Sequence, residues 1–280
     1  MATPIVQDDP SALRTTEEEL ARGLRRRDLT VTWFWRIAGY VVVLGFWQFA
    51  SGRLMDAALL PSPTNVLSTF GDIWRSGEMA GAFQATLTRI AVGFTLSFVV
   101  GALIGILMQN RWLAGFFKDA VLIGVTTPGL IWALITAIIF GNRTAGPLIA
   151  VVLTTFALIT VNVAEGIKSL PKDLIDMSKA FRVGVVRRNR EVVIPHLAPF
   201  MFTGVRFGFS IAWKVTVLTE VFASSTGIGF QMRTASQLFR LDEFLTWILA
   251  FYALALILEK VVLERIERRF FRWRRELTAA

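Results

Sequence analysis

Apolar residues run along this chain in six long blocks, at about 33–50, 86–108, 114–140, 146–164, 198–222 and 243–263, with more polar stretches of uneven length between them. Each approaches or exceeds the roughly 18–20 residues that an α-helix needs to cross a bilayer. The pattern predicts an all-α, polytopic membrane protein with about six transmembrane helices. The third block is interrupted by Thr126-Thr127-Pro128-Gly129, which predicts either a kinked helix or a helix with a short lead-in. Between the first two blocks, Leu60-Pro61-Ser62-Pro63 forms a stiff extended approach, and Thr64 or Asn65 stands ready to cap a helix. Val66, Leu67, Phe70, Ile73 and Trp74 then recur on one helical face. Such a helix lies flat on the outer membrane surface or serves as a ledge for an external partner.

Composition agrees with this pattern. Hydrophobic residues make up 54% of the 280, too many for an ordinary soluble domain. The net charge of +9 raises the question of nucleic acid, but its distribution answers it. With the N-terminus placed inside and residues near span ends counted with the adjoining loop, 22 of the 30 lysines and arginines fall on the inner side, 5 on the outer side and 3 (Arg89, Arg206, Lys214) remain in or at the edge of spans. That is the positive-inside bias of an even-spanning protein with both termini in the cytoplasm, so the basicity calls for lipid and not for nucleic acid. The expected organisation is a cytoplasmic tail at 1–30, a transmembrane domain at 31–265 and a basic cytoplasmic tail at 266–280. Thr16-x-x-Glu19 reads as a capping box in the first tail. The stripe Val262, Ile266, Phe270, Trp273 anchors the last span among arginines at anionic headgroups.

Chemistry-bearing motifs are sparse. The chain has no cysteine and a single histidine, His196, beside Pro195 at a span boundary, where it reads as an interfacial residue. No phosphate-binding glycine loop, His/Asp/Glu ligand cluster or nucleophile–base pair is recognisable. The chain is expected to be no enzyme, with no metal and no cofactor of its own.

One connector breaks the economy of a simple bundle. Leu174–Pro195, LIDMSKAFRVGVVRRNREVVIP, is basic, yet carries Leu174, Met177 or Ser178, Phe181 and Val185 at helical spacing. Topology accounts for the charges. It leaves the apolar face unexplained, since a solvated loop has no use for one.

Here the sequence resembles the permease subunits of bacterial ATP-binding-cassette importers, whose signature reads Glu-Ala-Ala, three residues, Gly, nine residues, Ile-x-Leu-Pro. Aligned without gaps on Pro195, Asp176-Met177-Ser178 takes the place of the Glu-Ala-Ala triplet and Arg182 that of the glycine, with Gly184 two residues on. Leu60-Pro61-Ser62-Pro63, Pro128 to Trp132, Asn162 to Gly166 and Ala212 to Glu220 extend the likeness to the nitrate, sulfonate, taurine and bicarbonate branch. The resemblance implies the type I importer permease fold in a bacterial inner membrane. It also implies a second permease copy, two cytoplasmic ATPase subunits carrying ATP and Mg²⁺, and a periplasmic or lipid-anchored solute-binding protein. Residues of about 172–187 would form the coupling helix gripped by an ATPase, with Asp176, Met177, Ala180, Phe181, Arg182, Val183 and Gly184 as the contact. The rival readings are a self-sufficient secondary transporter or channel, which would need more intramembrane charge or an inverted repeat, and an integral membrane enzyme.

The fifth span holds Lys214 and Glu220, and ionisable groups in a bilayer suggest function by default. Lys214, beside Trp213, either presents a cation to an anionic solute or pairs with an acid or carbonyl on another helix. Glu220 either satisfies nearby backbone or a basic partner, or touches solute. Asn162, Trp132 and Thr127 complete the candidate pathway.

Overall fold

The computed structural model describes residues 31–141, 144–265 and 268. The capping box at Thr16, the first tail, all of the second but residue 268, and most of the C-terminal stripe lie outside them. Two compact units divide the chain between Asn65 and Val66.

In the first unit a helix, α1, covers 31–50. The turn after it is tied down by Trp47 Nε1, which donates to Pro61 O at 3.1 Å, and by Ser51 Oγ, which donates to Leu60 O at 2.7 Å. Helix α2, Pro63–Arg75, follows. Its cap is Ser62, whose Oγ accepts from Asn65 N at 3.2 Å, and not Thr64 or Asn65 as the pattern suggested. Proline at the first helical position fixes the helix start and leaves the preceding residue as cap.

The second unit begins within α2, whose Val66 and Ile73 are buried while Leu67 and Trp74 are exposed. Its helices are α3 (Glu78–Leu107), α4 (Arg111–Thr126), α5 (Gly129–Phe140), α6 (Ala145–Lys168), α7 (Lys172–Ala180), α8 (Val185–Arg188), α9 (Ile194–Ala223), α10 (Ile228–Gln237) and α11 (Leu241–Ile257). A π-helical turn, Asn189–Val193, joins α8 to α9, so that Val185–Ala223 is one continuous run of 39 residues. A second such turn, Leu258–Leu263, extends α11.

Among the described residues, four helices are long and apolar enough to cross a membrane, and five spans result if α4 and α5 count as one. The expected six are reduced because α1, which carries Arg36 and Gln48, is not in that set. The break in the third block is sharper than a kink: α4 and α5 meet at 102°, with Pro128 as the residue before α5.

Helix α6 is the axis of the bundle, packed most extensively by α3 and α9. Half of its apolar window is buried, against 17% for the run through α9. The α3–α6 contact is made by a ladder of small residues four apart, Gly93, Ser97, Gly101 and Gly105. A Cβ on Gly101 would lie 2.6 Å from Phe156 O, so only glycine allows this approach of backbones. The closeness lets Thr160 Oγ1 donate to Gly101 O at 3.0 Å and brings the Ser97 and Thr155 hydroxyls together. With no hydrophobic drive between helices in lipid, such packing and hydroxyl bonds hold spans together, each bond contributing about 0.6 kcal/mol. A core of Met79, Ile228, Met232, Trp247 and Leu254 fastens α3, α10 and α11.

Candidate coupling loop and solute pathway

The connector between α6 and α9 is a helix, a tight turn and the start of the next span. The single helix expected over 172–187 ends instead at Ala180. The reason is local. Arg182 has φ +53°, its N–H donates to Lys179 O at 2.9 Å, and Val183 N–H donates to Ser178 O at 2.8 Å. These two bonds are the Schellman closure of a helix, with Arg182 at the position that glycine normally fills. Gly184 does not make the turn, since its φ is −60°.

The turn divides the predicted apolar face between two helices. Leu174, Met177 and Phe181 stand exposed on one side and Val185 and Val186 on the other, Phe181 at 77% and Val186 at 83%. Ser178 turns inward and is buried. Asp176 is exposed and pairs with Lys179 Nζ at 3.1 Å, and Ala180 and Val183 flank the turn, Val183 half-buried. At the base, His196 Nε2 and Ser169 Oγ lie 3.1 Å apart and join the ends of α6 and α9.

The two charges of the fifth span have opposite environments. Glu220 is fully buried and accepts from Arg89 at 2.6 Å, from Thr86 Oγ1 at 2.9 Å and from Gly229 N at 3.1 Å. Arg89 also donates to Thr226 O and Oγ1 at 2.8 and 2.7 Å, and Ile228 N donates to Thr86 Oγ1 at 3.0 Å. The carboxylate therefore sits on the N-terminus of α10, where unpaired amides and the helix dipole favour an anion. A Cβ on Gly229 would come 2.3 Å from Val217 O, and one on Gly227 (φ +103°) 2.5 Å from the Glu220 carboxylate. This knot binds α3, α9 and α10 together. Sequence reasoning placed neither Arg89 nor α10 in it; the glycines at 227 and 229, which it did not use, are the local signal that fits this close approach.

Lys214 is exposed and, among the described residues, makes no hydrogen bond or ion pair. Its Nζ lies 5.3 Å from the centre of the Trp213 ring, and Trp213 packs on Phe251 with centroids 5.0 Å apart. The indole N–H groups of Trp213 and of Trp132 on α5 are both buried and find no acceptor among the described residues. Asn162 Nδ2 donates to Leu158 O at 2.8 Å, and Thr127 is half-buried at the α4–α5 break. An open cavity of 520 Å³ lies between the end of α9, α10 and α11. None of the six candidate pathway residues lines it, though Trp213 backs its Phe251 wall.

An all-helical bundle with a broken span and an exposed connector between two spans is the architecture of a membrane transport permease. Residues 97–276 match the family described as binding-protein-dependent transport system inner membrane component, and the chain belongs to it. It is 27% identical over 235 residues to the putative aliphatic sulfonates transport permease protein SsuC of Bacillus subtilis (strain 168), covering 83% of this chain and 85% of that one. It is also 27% identical over 239 residues to the bicarbonate transport system permease protein CmpB of Synechococcus elongatus, covering 81% and 85%. A solved structure of the MetNI methionine ABC transporter in an inward-facing conformation superposes with a TM-score of 0.56 over 68% of this chain and 94% of that one. At 18% identity, that likeness is one of fold. The chain is thus an importer permease of the sulfonate, bicarbonate and nitrate branch, built on the type I fold.

Proposed function

We propose that two copies of this chain enclose a pathway for a small anionic or zwitterionic solute, of the sulfonate, taurine or nitrate kind, and couple it to ATP hydrolysis by two cytoplasmic ATPase subunits. The observation that carries the reading is the exposed apolar face of Leu174, Met177, Phe181, Val185 and Val186, folded around a tight turn and left uncovered by the other described residues. Exposed apolar patches rimmed by charge mark protein contacts, and here Asp176, Lys179 and Arg187 supply the rim. ATP and Mg²⁺ belong to the partner, and a solute-binding protein delivers cargo from the opposite side. The positive-inside distribution supports a connector and both termini on the cytoplasmic side. Nucleotide on one side and loaded binding protein on the other would then bias one two-state bundle.

Lys214 supports the choice of an anion. A lysine in mid-span costs about 2.5–3.5 kcal/mol when it faces hydrocarbon, and this one lies over the Trp213 ring with no ion pair among the described residues. A water-filled path between copies relieves that cost and leaves the ammonium free to attract an anion. Co-expression with the ATPase tests the coupling surface: Phe181→Asp or Asp176→Arg should lower recovery of the ATPase with the permease. Undiminished recovery of the complex would mean that the connector is not the docking element.

A further inference from the structure

We propose that Arg89 and Glu220 are positioning residues for transport: they fasten α10 to the end of α9, so that α10 travels with the helix that starts at the connector while α11 does not. The inference rests on the permease reading, and adds to it the residues that carry connector motion to the far end of α9.

The run from Val185 to Ala223 begins just after the turn at Arg182 and continues unbroken for 39 residues, about 58 Å at 1.5 Å per residue. At its far end, the N-terminal amides and side chains of α10 bond outward only to α9, to its cap Ser224 and to α3, among the described residues. Gly229 N and Ile228 N donate to Glu220 and Thr86. Gln231 Nε2 donates to Glu78 Oε1 at 2.7 Å. Arg233 donates to Val221 O and Phe222 O at 3.3 Å each and to Ser224 O at 2.7 Å. Arg89 closes the set, with Glu220 on one side and Thr226 on the other.

The bonds of α11 go elsewhere. Asp242 accepts from Thr69 Oγ1 at 3.1 Å, and Thr246 Oγ1 donates to Val66 O at 3.2 Å, both partners being on α2. No side-chain hydrogen bond or ion pair joins α10 to α11 among the described residues. Their contact is the apolar core that Met232 and Trp247 share, and beside it lies the open 520 Å³ cavity walled by Val221, Phe244, Ile248 and Phe251. Apolar contacts permit packed helices to slide, whereas charge-assisted hydrogen bonds fix distance and angle. Helices α9 and α11 meet closer to the connector, where Trp213 packs on Phe251 and Ser210 Oγ donates to Glu259 of the π-helical extension at 3.3 Å. Relative motion therefore pivots there and is taken up at the cavity. A buried ion pair is weak ground for stability, since apolar residues of similar volume often serve as well. What they do not supply is one fixed orientation of α10 on α9.

The chain has no cysteine, so spin labels go on introduced ones, at exposed positions. The full-length permease with its ATPase, labelled copies diluted with unlabelled ones, is compared by electron paramagnetic resonance without nucleotide and with ATP and vanadate. The distance from Phe222→Cys on α9 to Leu238→Cys at the C-cap of α10 should stay the same in both states. The distance from Leu238→Cys to Leu249→Cys on α11 should change. A change in the first, or none in the second, would overturn the proposal. In Arg89→Met combined with Glu220→Met the first distance should broaden and shift with nucleotide, an effect that a loss of stability alone does not produce. A first distance as narrow and constant as in the parent would remove the positioning role from the pair. Where that variant does not fold, Ile248→Trp decides: by filling the cavity it should suppress the change in the second distance, and a full change would overturn the pivot. A label on Asn189→Cys reports the connector. Its silence toward ATPase and nucleotide would sink the coupling reading and this inference together, whereas a responsive connector with both distances constant would sink this inference alone.

Discussion

Arg182 is the residue at which stability and family pattern meet. It sits at φ +53°, where an L-residue with a Cβ costs about 1–2 kcal/mol relative to the right-handed region. Glycine carries no such penalty but gives up about 0.5–1 kcal/mol in chain entropy. Arg182→Gly should therefore stabilise the turn by about 1 kcal/mol, a factor of roughly five in the local opening equilibrium. The reporters are the Arg182 and Val183 amides, bonded to Lys179 O and Ser178 O. Hydrogen exchange of the peptide spanning 178–184, in the full-length permease without ATPase, should slow by about that factor. Arg182→Val should accelerate it, since a β-branched side chain fits the left-handed region worst. Gly184→Ala is the control. Gly184 has φ −60° and a Cβ there meets nothing within 4 Å, so exchange should stay as it is or slow a little. If Gly184→Ala loosened the turn and Arg182→Gly did not tighten it, the turn would be made at Gly184 and the ungapped placement of the signature would be wrong.

Three other perturbations probe the bundle. Arg89→Met or Glu220→Gln alone leaves a buried charge unpaired, which costs about 3–5 kcal/mol. Each should lower the thermal midpoint of the purified permease sharply, and Arg89→Met combined with Glu220→Met should regain part of the loss. A wild-type midpoint in Arg89→Met would show that the pair does not hold α10. Gly101→Ala forces a methyl to within 2.6 Å of Phe156 O and should destabilise by about 1–3 kcal/mol. Gly115→Ala, where a Cβ meets nothing within 4 Å, should be silent, and equal effects of the two would refute the close α3–α6 approach. Lys214→Ala should abolish or uncouple uptake in reconstituted vesicles while the ATPase still assembles, and normal uptake would remove Lys214 from the mechanism.

What the sequence disclosed and what it hid follow from the range of the forces involved. The long apolar blocks, the break at Pro128 and the helix starting near Pro63 depend on local composition and backbone restriction, so all three were legible. Helix α10 was not, because at ten residues it is too short to register as a span. What holds it is Glu220, nine residues before Gly229, and Arg89 and Thr86 on α3, 131 and 134 residues from Glu220. Such a pairing joins distant segments and leaves no periodic trace. Gly227 and Gly229 were its one local signal, and their meaning depends on a carboxylate whose position only the fold supplies. The connector shows the converse. Its apolar residues were legible as a face, yet the left-handed turn at Arg182 splits that face between two helices. Periodicity assumes a continuous helix and carries no information about where one stops. A helix nine residues long, below the length at which helices persist alone, and closed by an arginine in a glycine's place gains little from its own chain. Its exposed apolar side chains need a partner surface more than a better-closed helix would, and the family signature at Asp176–Pro195 is where that partner is expected.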